Sequence, residues 1–238
     1  MSTQSPELAP DFFDQVEDLP DKDATVRWYY CVIVNLAALN YPELVPQIWK
    51  HLAEHVIAPL DHDAQFAIAR KLREALIKSC GIMGAAKTGT AIRLLCQQIP
   101  KELRDPATPR ADEDPIVAST RGHAFHRRIY GRNQEFDYNA TGQASPDYAW
   151  VVRDLMYGRI FSYDGILSDL DTGYVIVSAL IGIDCHIQLR HHMKGMLYNG
   201  ATRAELEELY KTMLNLAERL GVKFRSGLRE IPSIEPQT

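Results

Sequence analysis

One stretch of the chain concentrates side chains that can carry chemistry. Residues 183–209 read IDCHIQLRHHMKGMLYNGATRAELEEL, and the first part of this stretch holds one cysteine, three histidines and a lysine. A thiol beside histidines fits a redox centre, while histidines close together in sequence fit a metal site or an acid–base site. The same residues also fit a polar face that packs against another element. Their positions around a helix separate these interpretations.

The helical positions argue against a metal site. If the stretch is helical from Cys185 onward, then Cys185, Gln188 and His192 fall at i, i+3 and i+7 and share one face. His191 then lies roughly 100° around the axis from His192, and His186 lies on the far side. Because histidines placed in this way cannot bind one ion together, we expect neither a metal nor a cofactor.

The same face favours proton transfer by His192. An imidazole in a mostly apolar helical pocket is expected to titrate near neutrality and to exchange a proton without a metal. Such chemistry suits isomerisation, lactone opening, cyclisation or decarboxylation of a small acidic or enolisable molecule. Arg190 and Lys194 are candidates for holding its carboxylate or enolate. His191 is a further candidate for substrate contact, or else a surface or subunit-contact residue.

Other candidate residues have a structural alternative. Cys185 fits a nucleophile or, more simply, a small buried apolar side chain. Four aromatic residues fit either the wall of a substrate pocket, with hydroxyl groups for recognition, or the core. They are Tyr157, Phe161, Tyr163 and Tyr174. His123 and His126 lie at i and i+3 on an arginine-rich helix and are predicted to face solvent.

The composition limits the function classes. The chain has 238 residues, of which 46% are hydrophobic and 24% charged, and its formal net charge is -5. These values are typical of a folded globular protein. Without a basic cluster, a nucleic-acid partner is not expected. No apolar run is long enough to span a bilayer, so a membrane partner is not expected either.

Targeting features and cysteine usage predict a cytoplasmic location. The acidic start of the chain lacks the features of a signal peptide, and the end, SIEPQT, carries no peroxisomal address. The four cysteines are scattered without CxxC spacing. This pattern indicates a reducing compartment and neither a disulfide framework nor a zinc site.

The apolar periodicity is helical almost throughout. The stretch TGYVIVSALIG has strand propensity, but its neighbours are helical and no partner strand is evident, so it is predicted to be helical. The expected fold class is all-α. The predicted helices cover residues 24–39, 42–60, 61–83, 85–99, 114–131, 146–163, 172–182 and 185–198, with a polar loop over 139–145.

The chain divides into five predicted parts. They are a mobile acidic tail (1–23), an N-terminal helical repeat (24–99), a proline-rich linker (100–115), a second helical domain (116–225) and a C-terminal tail (226–238). The segments VIVNLAALN at Val32 and VIVSALIGID at Val175 indicate two related repeats, or a chance match. Gly200 fits a helix C′ position, and Thr202 with Glu205 fits a capping box.

Three ordered segments carry a family resemblance. LRHHMKGMLYNGATRAELEEL resembles the closing motif of the carboxymuconolactone decarboxylase family, in which Asn-Gly-Ala-Thr is the most specific part. RGHAFHRRIYG and LMYGRIFSYDGIL resemble the family's opening Arg-Gly helix and its aromatic-Gly turn. Residues 116–225 are thereby identified as a carboxymuconolactone decarboxylase-like domain. The resemblance implies an alkyl hydroperoxidase D-like helical fold and assembly as a homo-oligomer.

The resemblance implies two chemistries. Decarboxylase-type members use a histidine on this helix with help from an acidic residue; His192 matches the histidine, and Glu74 is the acid that keeps an Arg-Glu pair. Hydroperoxidase members carry CxxC followed by histidine. Cys185 and His192 match that motif, but Gln188 occupies the position of the second cysteine. Without this thiol, the disulfide cycle cannot close on that turn.

The sequence therefore favours a cofactor-independent lyase or isomerase. His192 is the predicted general acid or base, and Cys185 and Glu74 are further catalytic candidates. Two alternatives stay open: an alkyl hydroperoxidase-like antioxidant protein, and a non-catalytic oligomeric ligand-binding relative. The expected partners are a small-molecule substrate and further copies of the chain.

Overall fold

The computed structural model describes residues 7–17, 19–137, 139–225 and 230–234, and within them the fold is all-α, as predicted. The α-helices are α1 Asp14–Glu17, α2 Lys22–Leu39, α3 Val45–Leu52, α4 His62–Met83, α5 Ala85–Gln98, α6 Pro115–Tyr130, α7 Ala140–Ala144, α8 Pro146–Trp150, α9 Asp169–Gly182, α10 His186–Tyr198 and α11 Arg203–Arg219. Shorter 3-10 turns cover Pro10–Phe12, Pro42–Leu44 and Lys101–Leu103, and π-helical segments cover Ala53–Ile57 and Val151–Phe161.

Two apolar helices form the centre of the molecule. α2 and α9 pack against each other, and most residues of both are buried. These helices carry the two similar VIV segments, and equivalent positions meet, since Nδ2 of Asn35 donates to the carbonyl oxygen of Ser178 at 2.8 Å. Residues of both halves of the chain therefore belong to one hydrophobic core.

α6 and the π-helix Val151–Phe161 cross with their backbones in contact. A Cβ atom added at Gly122 would lie 2.5 Å from Cα of Gly158, so a larger residue would force the two elements apart. α10 packs against α6 and α9. The inner faces of α6, the π-helix and α10 thus meet, and they position the candidate site.

The turn between α10 and α11 has the predicted form. Gly200 adopts a φ of 102°, a left-handed conformation that glycine allows without strain. The hydroxyl of Thr202 accepts from the backbone N–H of Glu205, and the Glu205 carboxylate accepts from the backbone N–H of Thr202 at 2.7 Å. The predicted capping box is confirmed.

The predicted mobile tail over residues 1–23 is wrong in its described part. Phe12 is fully buried, and its ring centroid lies 5.3 Å from that of Trp28. Leu8 and Val16 are buried as well. These three apolar side chains recur every four residues, which is a helical spacing. The prediction of a mobile tail relied on the acidic composition of the segment and did not use this spacing.

The predicted linker over residues 100–115 is also wrong, because the segment packs on α4. Leu103 is buried, and the guanidinium of Arg73 in α4 donates to its carbonyl oxygen at 2.8 Å. Asp114 ends the segment as the N-cap of α6 and accepts from the backbone N–H of Ile116 at 2.7 Å.

Two smaller predictions concern the loop and the C-terminus. The loop predicted over residues 139–145 contains the short helix α7. Of the tail predicted over residues 226–238, residues 226–229 and 235–238 lie outside the described residues, while Ile231 is buried. Among the helices that the structure describes, none is both long enough and apolar enough to cross a membrane.

Candidate functional site

The hydroxyl of Tyr130 and the imidazole of His192 form a buried hydrogen bond. Nε2 of His192 lies 2.9 Å from the Tyr130 oxygen, and the two residues are only 4% (His192) and 6% (Tyr130) exposed. The hydroxyl of Tyr157 donates to that of Tyr130 at 3.2 Å. Polar groups from α10, α6 and the π-helix thus form one hydrogen-bonded chain in apolar surroundings.

Two further imidazoles complete this group, which we call the tyrosine–histidine cluster. Its members are His126, Tyr130, Tyr157, His191 and His192. The ring centroid of His126 lies 4.6 Å from that of Tyr130 and 4.6 Å from that of Tyr157. Nδ1 of His191 lies 2.9 Å from Nδ2 of Asn133. Each imidazole therefore lies close to a tyrosine ring or an amide of the same region.

His126 contradicts the predicted solvated face of α6. Its side chain is buried, whereas His123 is half-exposed, with Nε2 3.4 Å from the carboxylate of Asp154. The buried stripe of α6 includes Phe125, His126, Ile129 and Tyr130. The prediction relied on the arginines elsewhere on the helix, which indicate an exposed surface, and it did not use the apolar spacing of this stripe.

The predicted face of α10 is confirmed. The helix begins at His186, with Cys185 in the N-cap position. Oε1 of Gln188 lies 3.4 Å from the Tyr130 hydroxyl that His192 also contacts, so Gln188 and His192 share a face. Cys185 is a half-buried free thiol. Within the described residues, no three His, Cys, Asp or Glu side chains converge to hold a metal ion.

Burial keeps the cluster neutral. Loss of hydration lowers the pKa of His192 to about 3, and the neighbouring His126 and His191 add to the effect. Burial likewise lowers the pKa of His126 to about 4 and raises the pKa of Tyr130 to about 12. The expectation that His192 titrates near neutrality is therefore wrong for the ligand-free site, because the apolar surroundings disfavour the imidazolium ion.

The hydrogen-bond pattern favours one tautomer of His192. The Tyr130 hydroxyl has one proton to donate, and it already accepts from Tyr157. Its contact with His192 is 2.9 Å long, whereas its contact with Gln188 is 3.4 Å long. The shorter contact favours donation to Nε2, with the proton of His192 on Nδ1; the other arrangement has Nε2–H donating to Tyr130 and Tyr130 donating to Gln188. In the favoured arrangement, Nε2 is a proton acceptor facing a phenol.

The predicted anion-binding residues of α10 pair with a carboxylate of the chain itself. Arg190 donates to the two oxygens of Glu135 at 2.8 and 2.9 Å, and Nζ of Lys194 lies 2.7 Å from the same carboxylate. These hydrogen bonds, that of Arg190 first, lower the pKa of Glu135 to about 2. The two cations are thus arranged around a carboxylate.

The space beside His192 is small, and the nearby Gln188 is exposed. A cavity of about 20 Å³ touches His192, Ile129 and Met196, which is room for about one water molecule. Gln188, in contrast, is exposed and still contacts the Tyr130 hydroxyl. Among the residues that contact the Tyr130 hydroxyl, Gln188 is thus the exposed one.

Tyr157 is placed by the π-helix, a conformation that is rare and frequent at functional sites. The other π-helical segment, Ala53–Ile57, closely follows His51. Nδ1 of His51 lies 2.8 Å from the hydroxyl of Tyr29. The N-terminal half thus holds a second tyrosine–histidine pair beside a π-helical segment.

Glu74 lies away from this cluster, on α4. Its side chain is fully buried, and one carboxylate oxygen lies 3.9 Å from Nζ of Lys78. That Nζ donates to the carbonyl oxygens of Phe161 and Tyr163 at 2.6 and 2.7 Å. Among the described residues, Glu74 and His192 line different cavities and form no hydrogen bond with each other.

Tyr174 belongs to a third region. With Trp28 it lines a cavity of about 340 Å³ between α2 and α11. The guanidinium of Arg27 lies 4.6 Å from the centroid of the Tyr174 ring, and its Nε donates to Asp171 at 3.0 Å. Of the other aromatic candidates, Phe161 packs against Tyr157 of the tyrosine–histidine cluster with ring centroids 5.0 Å apart, and the Tyr163 ring lies against the guanidinium of Arg110 at 4.1 Å.

Sequence reasoning missed several residues of the site. Tyr130, His126, Asn133 and Glu135 were not predicted to belong to it. Tyr130 follows His126 by four residues within the segment RGHAFHRRIYG, so the two share a helix face. That spacing is the one signal that could have found them, while Asn133 and Glu135 follow α6 in an irregular segment without a pattern.

Comparison with known proteins finds two relatives with the same name. "Peroxisomal protein 2" of Schizosaccharomyces pombe is 30% identical over 203 residues, which is 85% of this chain and 91% of that protein. "Peroxisomal protein 2" of Saccharomyces cerevisiae is 24% identical over 188 residues, which is 69% of this chain and 66% of that protein. No family model matches the chain, and no solved structure matches it.

Proposed function

The chain belongs to the family of peroxisomal protein 2, and from this premise we propose that it is a cofactor-independent lyase or isomerase acting on a small acidic or enolisable molecule. The observation that carries the proposal is the 2.9 Å contact between the Tyr130 hydroxyl and Nε2 of His192, inside a buried chain of polar groups. The resemblance to carboxymuconolactone decarboxylases supports it, since those proteins use a histidine on the helix that corresponds to α10.

The proposed reaction is a two-step proton relay. The Tyr130 oxygen takes a proton from an acidic carbon of the substrate while the Tyr130 proton passes to Nε2 of His192. An enolate and an imidazolium result, and the same groups return the proton to another carbon, which completes an isomerisation. In a decarboxylation, the substrate carboxylate leaves as carbon dioxide and its bonding electrons form the enolate; the Tyr130 hydroxyl then protonates the carbon, and a proton from water restores the phenol. The negative charge of the substrate raises the pKa of His192 from its ligand-free value of about 3.

The charged residues of α10 suit the same substrate class. A substrate carboxylate would take the place of Glu135 on Arg190 and Lys194, because the side chain of Glu135 is 43% exposed and can move away. Tyr157 would donate to the oxygen of Tyr130 and stabilise negative charge that develops there.

Turnover measurements on a substrate panel test the proposal. Wild-type protein is incubated with γ-lactones and enolisable β-keto and unsaturated acids, and consumption is followed by mass spectrometry. We expect one class to be consumed, with at least about a hundredfold loss in His192→Gln and Tyr130→Phe, the scale typical of a missing general base. The matched control is His62→Gln, which changes a histidine exposed at the start of α4. Turnover that persists in His192→Gln would contradict the proposal.

The antioxidant alternative depends on Cys185. Its thiol is free, and Gln188 stands one turn further along α10 where a resolving thiol would be needed. Peroxide-dependent loss of thiol that disappears in Cys185→Ser, together with peroxide consumption, would favour this alternative. If neither peroxide nor any panel member is consumed, the remaining alternative is a non-catalytic ligand-binding protein.

A peroxisomal location is part of the proposal, in place of the cytoplasmic one predicted from sequence. Its support is the name shared by both relatives. Fluorescent fusions at either end of the chain test it by co-localisation with a peroxisomal marker. A diffuse cytoplasmic signal from both fusions would contradict it.

We also propose that the protein assembles as a homo-oligomer. Besides the family resemblance, exposed apolar side chains support this proposal. Ile116 is 77% exposed, Ile187 61% and Trp150 53%. Analytical ultracentrifugation of the full chain should find a species larger than the 26.9 kDa monomer, whereas a sedimenting monomer at micromolar concentration would contradict it.

A further inference from the structure

A second cavity lies between α4 and the segment that follows the turn Lys101–Leu103. Its volume is about 290 Å³, close to the lower end of the range for small-molecule sites. Arg73, Glu74 and Ile77 of α4 line one side, and Asp105 and Arg110 line the other. This region is separate from the tyrosine–histidine cluster, so an inference about it goes beyond the proposed function.

Within the part of the chain that the structure describes, two buried polar groups that line this cavity are incompletely paired. Oε1 of Glu74 pairs with Arg110, but Oε2 has no hydrogen-bond partner. In Arg73, Nε donates to Asp105 at 2.6 Å and Nη1 to the carbonyl oxygen of Leu103 at 2.8 Å, but Nη2 has no partner. Leaving such groups unpaired is costly, and more so when they are charged. The two lining side chains therefore carry one unused acceptor and one unused donor.

The charge balance of the lining favours an anion. Three arginines line the cavity against two carboxylates, and Asp105 is shared between Arg70 at 2.9 Å and Arg73 at 2.6 Å. An anionic group that enters the cavity is thus attracted by cations whose hydrogen bonds are not all used.

We propose that this cavity binds a small carboxylate that also carries a hydroxyl group. The ligand carboxylate accepts from Nη2 of Arg73, and its hydroxyl donates to Oε2 of Glu74. Ile77 and Ile166 line the remaining wall and contact a short apolar body. The two unpaired atoms are covered by neighbouring atoms, so a small side-chain shift accompanies binding.

Ligand binding to the full chain tests the proposal with 2-hydroxybutanoate as the probe. Isothermal titration calorimetry should detect saturable binding, with butanoate weaker by about fivefold or more because it lacks the hydroxyl donor. Butylammonium should not bind. Arg73→Gln should weaken hydroxybutanoate binding at least about tenfold, while Arg93→Gln on α5, outside the cavity, should leave it unchanged.

Two measurements keep the test decisive if Arg73→Gln fails to fold. Ile77→Trp fills the cavity and should abolish binding. In wild-type protein labelled at isoleucine methyl groups, hydroxybutanoate should shift the signals of Ile77 and Ile166 most. The proposal is overturned if wild type binds no hydroxybutanoate, if butylammonium binds equally well, if folded Ile77→Trp keeps the affinity, or if the methyl shifts lie elsewhere.

Discussion

The Tyr130 hydroxyl lies 2.9 Å from Nε2 of His192, and both side chains are withdrawn from solvent. The pair joins α6 to α10, and Tyr157 of the π-helix that crosses α6 donates to the same Tyr130 hydroxyl at 3.2 Å. A neutral imidazole and a neutral phenol are the stable forms, because the surroundings penalise either charge. Stability and proposed chemistry therefore depend on the same hydrogen bond.

Removing the Tyr130 hydroxyl should destabilise the protein. Tyr130→Phe leaves the buried Nε2 of His192 without this partner, so the free energy of unfolding should fall by about 1–3 kcal/mol. Urea unfolding followed by circular dichroism measures the change. Tyr148→Phe, at a site that is 59% exposed, is the matched control and should change stability by less than about 0.5 kcal/mol. Equal effects of the two substitutions would contradict the account.

The stability of the protein should fall on mild acidification. Below the ordinary histidine pKa of 6.5, the unfolded chain binds protons on His126 and His192 that the folded protein does not bind, because their folded pKa values are about 4 and about 3. The free energy of unfolding should therefore decrease by about 3–4 kcal/mol between pH 7 and pH 5, through these two groups. Urea unfolding at several pH values measures the slope.

The variant His126→Phe isolates half of this effect. It keeps an aromatic ring and removes one titrating group, so the loss between pH 7 and pH 5 should shrink by about 2 kcal/mol relative to wild type. Comparison of slopes removes the contributions of carboxylates that both proteins share. An unchanged slope would mean that His126 is solvated and charged in the folded protein.

The crossing of α6 and the π-helix should tolerate no side chain. Gly122→Ala places a methyl group 2.5 Å from Cα of Gly158, and the required backbone shift should cost about 1–3 kcal/mol. Gly142→Ala in α7 meets open space and should be neutral or stabilising by up to about 1 kcal/mol. Thermal unfolding should therefore shift in opposite directions, and a neutral Gly122→Ala would contradict the packing.

The capping box of α11 should contribute measurably to stability. Thr202→Ala removes the acceptor for the backbone N–H of Glu205 and should cost about 1 kcal/mol. Thr90→Ala is the matched control, because the hydroxyl of Thr90 bonds within α5, where it donates to the carbonyl oxygen of Ala86 and accepts from Arg93. Urea unfolding should separate the two variants by at least about 0.5 kcal/mol.

The helices were predictable because their signals are local. The turn at Gly200 and the capping box at Thr202 depend on residues within one or two turns, and both are present. The burial of Phe12 was not predictable from the acidic composition of residues 1–23, because it depends on packing against Trp28 of α2. The π-helices likewise result from packing and have no sequence signal here.

The site was predictable along one helix and not between helices. Spacing alone placed Gln188 and His192 on one face of α10, and both contact Tyr130. The partners across helices, Tyr130 and Glu135, depend on tertiary packing, as do the low pKa values of the buried histidines. For the same reason Glu74 could be placed on α4 but not relative to His192.

Nitrogen-15 NMR of histidine-labelled protein tests the central claim most directly, because it reads the protonation of each imidazole nitrogen. With assignment by His192→Gln, we predict that His192 stays neutral from pH 8 to about pH 4, with its proton on Nδ1 and Nε2 as the acceptor from Tyr130. A midpoint near pH 6.5, or a proton on Nε2 at neutral pH, would contradict the buried hydrogen bond and the relay built on it.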